Sequence, residues 1–474
     1  MAARRGAALF APRANGLVRP RALSILGRAQ QLSTSRCHPR SVNNSPIALP
    51  ARALPSAALA QSFFSVRQYS SEASLEKTPL YDLHASYGAK FVPFGGFAMP
   101  VQYSDLSVGE SHNWTREKAS LFDVSHMVQH YFKGPGAAAF LERITPASAS
   151  TLADNSSTLS TLLHRNTGGI VDDTIITKLP GDVFFVVTNA ACRDKDSAYL
   201  SGELDAFKAE HGEDGTTAVT WDRLDGRGLI ALQGPLAVDI LSSVLPAESR
   251  DLTTLYFGQN RSLSFQLPNG QAVSDVLVSR GGYTGEDGFE ISVPGEHTTA
   301  LAQLLLETGG PDKLRWAGLG ARDSLRLEAG MCLYGHDLDD TTTPVEGALA
   351  WIIPKDRREK GGFHGSDVVL AQLKPKSKGG AGVGRRRIGL VVEGAPAREG
   401  AEIVDETGAS IGKITSGCPS PTLKKNIAMG YIKDGKHKSG TEVQVVVRGK
   451  PRKAVVTKMP FVPSKYWKGG ATPG

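Results

Sequence analysis

Two successive patterns of apolar residues constrain what this chain can fold into. From residue 78 to 350, short apolar runs such as "DVFFVVTNA" alternate with helix-like runs such as "CRDKDSAYLSGELDAFKAEHG". From residue 385 to 466 the runs are all short, strand-like and separated by glycine, as in "RIGLVVEG" and "TEVQVVV". These patterns predict an α+β or α/β body over 78–350 and a small antiparallel β-barrel over 385–466.

Residues 351–384 lie between these two regions and are predicted to form a connector. Its last part runs into "LKPKSKGGAGVGRRR", at 373–387, which is rich in lysine, arginine and glycine. Such a composition is typical of an exposed segment rather than of a packed element.

The first 71 residues differ from the rest in charge. They contain ten arginines and no aspartate or glutamate, and without them 44 basic residues face 47 acidic ones, about −3. The basic balance of the chain therefore does not indicate nucleic-acid binding. An acid-free segment rich in Arg, Ser and Ala predicts a mitochondrial transit peptide, cleaved between Arg67 and Glu72. The alternatives are a chloroplast leader, which usually has more Ser and Thr and less Arg, and a disordered basic tail.

The string "GGIVDDTIIT", at 168–177, places two adjacent carboxylates in a strand-forming run. Neighbouring side chains of an extended chain point to opposite faces, so Asp172 and Asp173 cannot easily serve one ligand together. Either both are solvated turn residues, or one faces a site and the other does not. In the second case the other carboxylate would cap the turn or accept backbone N–H groups.

Further charged residues stand in apolar surroundings. Glu290, in "GGYTGEDGFE", lies within an apolar run and needs a partner, which is either a ligand with paired N–H donors or an arginine. Arg322 and Arg326 stand among leucines, where they either bind a carboxylate, form a solvated face or form structural ion pairs. Arg387 ends an arginine triplet that abuts a strand, so it is either solvated or projects into a site. His126 is interpreted as a satisfied core or turn histidine rather than a general base.

Several common signatures are absent from the sequence. The four cysteines form no CxxC pair, and the sequence contains no HExxH zinc motif and no GxxxxGK[ST] phosphate loop. The string "GLGARD" lacks the third glycine of a dinucleotide fingerprint. We therefore expect no disulfide framework, no metal and no tightly bound nucleotide. We also find no apolar run long enough to predict a membrane insertion.

Eight strings, taken in order, resemble the glycine cleavage T-protein family of aminomethyltransferases, in its mitochondrial form. They span about Thr78 to Tyr466 and are "GGFAMPVQY", "FDVSHM", "GGIVDDTIIT", "GYTGEDGFE", "ARDSLRLEAG", "TTPVEGALAW", "TSGCPSPTLKKNIAMGY" and "KMPFVP". The resemblance implies an α+β fold of three domains in a clover-leaf around a folate channel. Two α+β domains would form the folate-binding region over 78–350, and the barrel would be the third.

The resemblance also implies a reaction and its partners. An aminomethyl group on the lipoyl arm of the carrier H-protein would be transferred to tetrahydrofolate, releasing ammonia. The P- and L-proteins of the same system would be further partners, and the location would be the mitochondrial matrix. No nucleic acid, metal or bound redox cofactor is expected.

Site residues carry over from the family where this sequence matches its motifs. Asp173 would lie beside the reactive folate nitrogens and act in catalysis. Folate contacts are expected from Asn189, Glu290, Arg322, Arg387 and Tyr466. The stretch "KPKSKGGAGVG", before Arg385, is longer and richer in glycine than in the family.

Two rival functions share this architecture. Folate-linked demethylases carry a flavin domain ahead of the folate module, whereas here only the basic leader precedes Thr78. A non-enzymatic folate-binding protein of iron–sulfur cluster assembly has a cysteine-containing signature where this chain has Tyr283 and Thr284. Ammonia release that depends on H-protein and tetrahydrofolate would distinguish the transferase from both.

Overall fold

A computed structural model describes residues 75–212 and 215–470 of the 474-residue chain. The predicted transit peptide, at 1–71, and its predicted cleavage site lie outside these residues. The helices are α1 (Tyr81–Ser86), α2 (Val108–Glu117), α3 (Ala137–Ile144), α4 (Arg193–His211), α5 (Ala237–Val244), α6 (Gly295–Gly309), α7 (Leu319–Glu328), α8 (Lys355–Lys360) and α9 (Ser366–Leu373). No helix within these ranges is both long and apolar enough to span a bilayer.

The strands of the body lie between residues 90 and 316. They are β1 (Lys90–Phe94), β2 (Phe97–Gln102), β3 (Ala119–Asp123), β4 (Val128–Lys133), β5 (Ser156–Leu163), β6 (Ile170–Leu179), β7 (Val183–Thr188), β8 (Thr220–Arg223), β9 (Gly228–Gln233), β10 (Asn260–Gln266), β11 (Ala272–Arg280), β12 (Gly288–Val293) and β13 (Leu314–Trp316). The first two form a hairpin.

The remaining body strands form two larger sheets. Sheet one has the order β10-β11-β12-β9-β3-β13, and sheet two has the order β5-β6-β7-β4-β8. Neighbours are antiparallel except β13 and β3, which run parallel. All of sheet two is inserted in the chain between β3 and β9, two adjacent strands of sheet one.

Each sheet has its own core, built from its apolar face and the helices that cover it. Sheet one packs against Ile240 of α5 and Leu305 of α6, which belong to one cluster of buried residues. Sheet two packs against Phe140 of α3 and Leu200 of α4 in a second cluster. Apolar residues spaced three or four apart give each helix the buried stripe that this packing requires.

The C-terminal strands close into a six-stranded barrel. They are β14 (Arg385–Val392), β15 (Glu402–Val404), β16 (Ser410–Ser420), β17 (Lys425–Lys433), β18 (Glu442–Val447) and β19 (Lys450–Thr457). They pair in the order β14-β17-β16-β15-β18-β19, and the last strand pairs with the first. The α+β class and the antiparallel barrel are therefore confirmed, and the barrel is a third unit with its own core.

A buried ionic network joins α7 to both the barrel and α2. Glu328, at the end of α7, accepts hydrogen bonds from Arg116 at 2.8 Å and from Thr422 at 2.8 Å. The Ser420 hydroxyl and the His112 ring also contact its carboxylate. Burial is the largest single influence on the pKa of Glu328 and raises it. The hydrogen bonds and the His112 ring together outweigh burial and lower the pKa to about 2.

The connector is more ordered than its composition suggests. Phe363 and Val369 pack with Leu163 and Ile170 of sheet two in a buried cluster, and the segment contains α8 and α9. Of the stretch 373–387, which the sequence predicts to be exposed, residues 374–379 are exposed, whereas Val383 and Arg387 are buried. The glycine- and lysine-rich part is thus a short surface turn on a segment that otherwise packs against sheet two.

Candidate functional site

The carboxylates of Asp172 and Asp173 lie on opposite faces of β6. Asp172 is completely buried, whereas Asp173 is half-buried and shares its face with the exposed Ile175. The predicted alternation is therefore confirmed. The alternative of two solvated turn residues, and the turn-capping role for Asp172, are wrong, because both residues lie inside a strand that pairs with β5.

Asn189 follows the last residue of β7 and links the two carboxylates. Its Nδ2 donates to Asp172 Oδ1 at 2.9 Å and to Asp173 Oδ1 at 3.0 Å. Its backbone N–H donates to Asp172 Oδ2 at 2.8 Å, so Asp172 does accept a backbone N–H. One amide side chain therefore fixes the orientation of Asp173 relative to the buried Asp172.

Asp173 has the electrostatic setting of a group that exchanges protons near neutral pH. Burial is the main cause that raises the pKa of Asp173 to about 7, and the negative charge of Asp172 adds to it. Asp337 acts in the same direction, whereas the Asn189 hydrogen bond opposes the shift. A carboxyl group with a pKa close to the working pH can both accept and return a proton during a reaction.

Glu290 on β12 and Arg322 on α7 carry opposite charges and have no ion-pair partner in the described part of the chain. Both are half-buried, and neither side chain forms a hydrogen bond or ion pair with another residue of the described ranges. Burial raises the pKa of Glu290, against the opposing charge of Arg322. Burial likewise lowers the pKa of the Arg322 guanidinium. Desolvated charges left without partners favour a ligand that supplies them.

Tyr283, in the glycine-rich tip between β11 and β12, belongs to the same site but was not predicted there. Its ring lies under the Arg322 guanidinium, 4.5 Å from the ring centroid, and its hydroxyl donates to the Cys332 carbonyl. The charge of Asp173 acts on both Tyr283 and Cys332. The tip and the segment after α7 therefore both lie within electrostatic reach of Asp173 on β6. The feature of the sequence that could have indicated Tyr283 as a site residue is its position as an aromatic residue within a glycine-rich run.

A glycine is required at the start of this tip. Gly282 has φ +155°, and a Cβ built there would lie 2.0 Å from the Gln233 Oε1 atom. The Gln233 amide in turn donates to the Gly281 carbonyl at 2.9 Å and accepts from Thr284 at 2.7 Å. The close approach fixes the path of the chain into Tyr283.

Arg387 and Tyr466, the two predicted site residues in the C-terminal part of the chain, differ in their hydrogen bonding. Arg387 is buried and donates to the Gly347 carbonyl at 2.8 Å and the Gly330 carbonyl at 3.1 Å, with no ion pair among the described residues. The Tyr466 hydroxyl is buried and forms no hydrogen bond within the described part of the chain. Its ring stacks on Phe257 at 4.1 Å between centroids. Tyr466 thus packs through its ring, whereas Arg387 donates mainly to backbone carbonyls.

The surroundings of Arg326 and His126 can be compared with the alternatives that the sequence left open for them. Arg326 is a structural residue, since it pairs with Asp323 at 2.7 Å and with Asp337 at 2.6 Å. His126 is buried as expected, but it is not satisfied, because its Nδ1 has no hydrogen-bond partner in the described residues. Burial lowers the pKa of His126 to about 4, so the ring is neutral.

Within the described residues, three buried side chains lie close enough together to be considered as metal ligands. The ligand atoms of Asp172, Cys192 and Asp196 all lie within 4.8 Å of one another. They lie behind Asp173, on the opposite face of β6. Both oxygens of Asp172 already accept hydrogen bonds from Asn189, which leaves an incomplete ligand set for a metal ion.

Models of two protein families match this chain. The GCVT N-terminal domain matches residues 80–357, and the glycine cleavage T-protein C-terminal barrel domain matches residues 385–463. The two matches together cover the body and the barrel.

Curated relatives and a solved structure agree with these matches. The mitochondrial aminomethyltransferase of Pisum sativum is 49% identical over 402 residues, which is 85% of this chain and 93% of that protein. A probable mitochondrial aminomethyltransferase of Schizosaccharomyces pombe is 49% identical over 404 residues, covering 85% of this chain and 97% of that protein. The glycine cleavage system aminomethyltransferase T of Bartonella henselae is 39% identical, with a TM-score of 0.72, and the match covers 83% of this chain and all of that one. The chain therefore belongs to the glycine cleavage T-protein family.

Proposed function

We propose that this protein is a tetrahydrofolate-dependent aminomethyltransferase of the glycine cleavage system. It takes the methylene carbon of an aminomethyl group carried on the lipoyl sulfur of H-protein and transfers it to tetrahydrofolate. Family membership supports this reaction, and nothing in the comparisons favours the role in iron–sulfur cluster assembly. The observation that carries the proposal is Asp173, a positioned carboxyl group with a pKa of about 7 in a partly buried site.

The proton balance of the reaction assigns a task to Asp173. Two folate N–H bonds break and two C–N bonds form as the methylene bridges the two folate nitrogens. The bonds from that carbon to sulfur and to the amine nitrogen break, yielding one thiol and one ammonia. Two protons therefore leave folate, one going to the amine and one to the sulfur. Asp173 orients the reacting folate nitrogen, takes one of these protons and returns it to the departing amine.

The unpaired charges suit the two ends of tetrahydrofolate. A carboxylate such as Glu290 can accept hydrogen bonds from the paired N–H donors of the pterin ring, and Arg322 provides a positive charge for the glutamate end. The free Tyr466 hydroxyl supplies a further polar contact. Asn189 contacts folate from beside Asp173. Arg387 contacts folate through Nη2, since its Nε and Nη1 already donate to backbone carbonyls.

The partners and the location follow from the family. The lipoyl arm of H-protein delivers the reacting group, and the P- and L-proteins of the system load and reoxidise that arm. Curated relatives from plants and yeast are named mitochondrial, and the acid-free leader agrees with import. We place the protein in the mitochondrial matrix, with an N-terminus after processing between Arg67 and Glu72.

The decisive experiment is single-turnover ammonia release from aminomethylated H-protein in the presence of tetrahydrofolate. The wild-type protein should release ammonia, and Asp173→Asn should slow the release by about 10²-fold or more, since proton transfer by one positioned group contributes about 10²–10⁴-fold. Tetrahydrofolate affinity, measured by calorimetry, should be retained in this variant. Asp312→Asn, an exposed aspartate, is the matched control and should behave as wild type.

Two outcomes would contradict the proposal. If wild-type protein binds tetrahydrofolate but releases no ammonia, the protein is a folate-binding protein without transferase activity. If ammonia is released equally by wild type and Asp173→Asn, the proton transfer depends on another group.

A further inference from the structure

Two fully buried carboxyl groups lie behind Asp173. Asp172 is 0% exposed and Asp196, on α4, is 1% exposed. Their closest oxygens and the Cys192 sulfur lie within 4.8 Å of one another. Nothing in the proposed reaction uses Asp196, yet an aspartate at a fully buried helix position is costly unless it is paired or neutral.

Two ionised carboxylates cannot occupy this space. Among the described residues no cation bonds either carboxyl group: the donors to Asp172 are Asn189 and the Cys192 thiol, and the donor near Asp196 is the Thr188 hydroxyl, all of them neutral. The neighbouring cation, Lys195, donates instead to Asp340 at 3.1 Å and to Tyr334 at 2.6 Å. Like charges this close cannot both persist in a buried site, so the two groups share one proton.

The proton belongs mainly to Asp196. Burial and the charge of Asp172 raise the pKa of Asp196 to about 10. The pKa of Asp172 is raised as well, chiefly by burial, but the Asn189 hydrogen bonds oppose that rise. Asp172 thus carries the negative charge, and the Asp196 hydroxyl is the donor that its remaining lone pairs accept.

We propose that Asp172 and Asp196 form a singly protonated carboxyl pair that acts as the positioning unit for Asp173. The charged Asp172 holds Asn189 through the backbone N–H at 2.8 Å and the amide at 2.9 Å. The second hydrogen of the same Asn189 amide then reaches Asp173 at 3.0 Å. The pair therefore sets the orientation of Asp173 and places a negative charge behind it. The inference rests on the proposed function in that Asp173 is the proton-transfer group.

The charged and titratable groups that face this unit come from several elements. Asp172 and Asp173 lie on β6, and Asp196, Lys195 and Cys192 lie on or just before α4. From the segment after α7, the charge of Asp337 acts on Asp173, and the charge of Asp172 acts on Tyr334. Tyr283 and Cys332 also feel the charge of Asp173. Lys195 acts on Asp196 from a distance, and no cation among the described residues bonds the pair, so a shared proton is needed to reduce its negative charge.

Infrared spectroscopy tests the shared proton without reference to activity. The full-length protein is compared with Asp196→Asn at a pH between about 7 and about 10, where Asp173 is ionised and Asp196 is not. The wild-type spectrum should contain a neutral carboxylic acid C=O band that Asp196→Asn removes and that Asp312→Asn retains. Absence of this difference band would overturn the proposal, whatever the role of Asp173.

The pH dependence of single-turnover ammonia release tests the positioning role. Asp172→Asn removes the charge behind Asp173, so the acidic limb of the profile should move to lower pH by about one unit or more. Asn at position 196 is neutral and donates an N–H to Asp172, so Asp196→Asn should keep the wild-type position of the limb. Asp196→Leu removes that donor, Asp172 then takes up a proton, and the limb should move as in Asp172→Asn.

These outcomes separate the inference from the proposed function. If Asp196→Asn moves the limb as far as Asp172→Asn does, Asp196 was ionised and the pair does not exist. If Asp196→Leu leaves the limb in place, the pair has no influence on Asp173. Stoichiometric metal in the purified protein, found by emission spectrometry, would also overturn the shared proton. Failure of Asp173→Asn to slow release would count against the proposed function while leaving the infrared result intact.

Discussion

Replacing Glu290 with glutamine should change ligand binding and stability in opposite directions. Glu290 has no hydrogen-bond or ion-pair partner in the described residues, and burial raises its pKa above the ordinary value of 4.5. The neutral amide removes a desolvated charge and keeps the shape of the side chain, so the folded protein should lose no stability. We expect the free energy of unfolding at pH 7 to stay constant or rise by up to about 1 kcal/mol.

The same change removes a charged acceptor from the proposed pterin contact. Hydrogen bonds to a charged group contribute about 1.5–3 kcal/mol, which is about 10- to 100-fold in the dissociation constant of tetrahydrofolate. Calorimetric titration measures this constant. Glu406→Gln, on an exposed loop, is the matched control and should change neither quantity.

The pH dependence of the stability gain gives a separate check. Because the folded pKa of Glu290 is raised, its ionised form is disfavoured in the folded state, and this penalty exists only above the unfolded pKa near 4.5. Urea unfolding should therefore show any gain of Glu290→Gln at neutral pH, and the gain should vanish as the pH falls below that value. A variant that is destabilised at pH 7 and binds tetrahydrofolate normally would refute the reasoning, because it would mean that Glu290 is paired within the protein.

Three other perturbations have defined outcomes. Arg322→Ala should weaken tetrahydrofolate binding about tenfold or more in calorimetry, and its melting temperature should fall only slightly, since the contact with the Tyr283 ring is lost but no ion pair is. The stability contributed by Glu328 should be complete above its unfolded pKa near 4.5 and be lost as the pH falls towards about 2; urea unfolding at stepped pH should show this loss in wild type and not in Glu328→Gln. Gly282→Ala should lower the unfolding free energy by about 1–3 kcal/mol more than Gly270→Ala, because both have positive φ but only the first lacks room for a Cβ.

The local pattern of the chain could be predicted because it depends on near neighbours. Alternation along β6 correctly separated Asp172 from Asp173, and glycine punctuation correctly indicated the barrel. The Asn189 bridge could not be predicted, because it depends on which strand lies beside β6 and where that strand ends. The order of strands in a sheet is set by packing between residues that are far apart in the sequence. The spacing of apolar residues and the strand propensity of each residue carry no information about that packing.

Charged side chains on one helix show the same limit. Arg322 and Arg326 are one turn apart on α7 and have similar apolar neighbours in the sequence. Within the described residues only Arg326 has acidic partners, at Asp323 and at Asp337 beyond the helix, so Arg326 is structural and Arg322 has no ion pair. The second of these partners comes from the loop after the helix, and the path of that loop could not be read from helical spacing.

The insertion of sheet two between β3 and β9 has a consequence for the order in which the chain folds. The Leu121–Leu232 pair that joins β3 to β9 is separated by about 110 residues, and closing such a loop costs about 4 kcal/mol of chain entropy. All strands of sheet two lie within that loop, between residues 128 and 223. Its contacts can therefore form first and shorten the effective loop, after which β3 meets β9. When the chain emerges N-terminus first, during synthesis or translocation, β3 has no β9 to pair with until residue 233 has emerged. During that interval β3 is an exposed apolar strand.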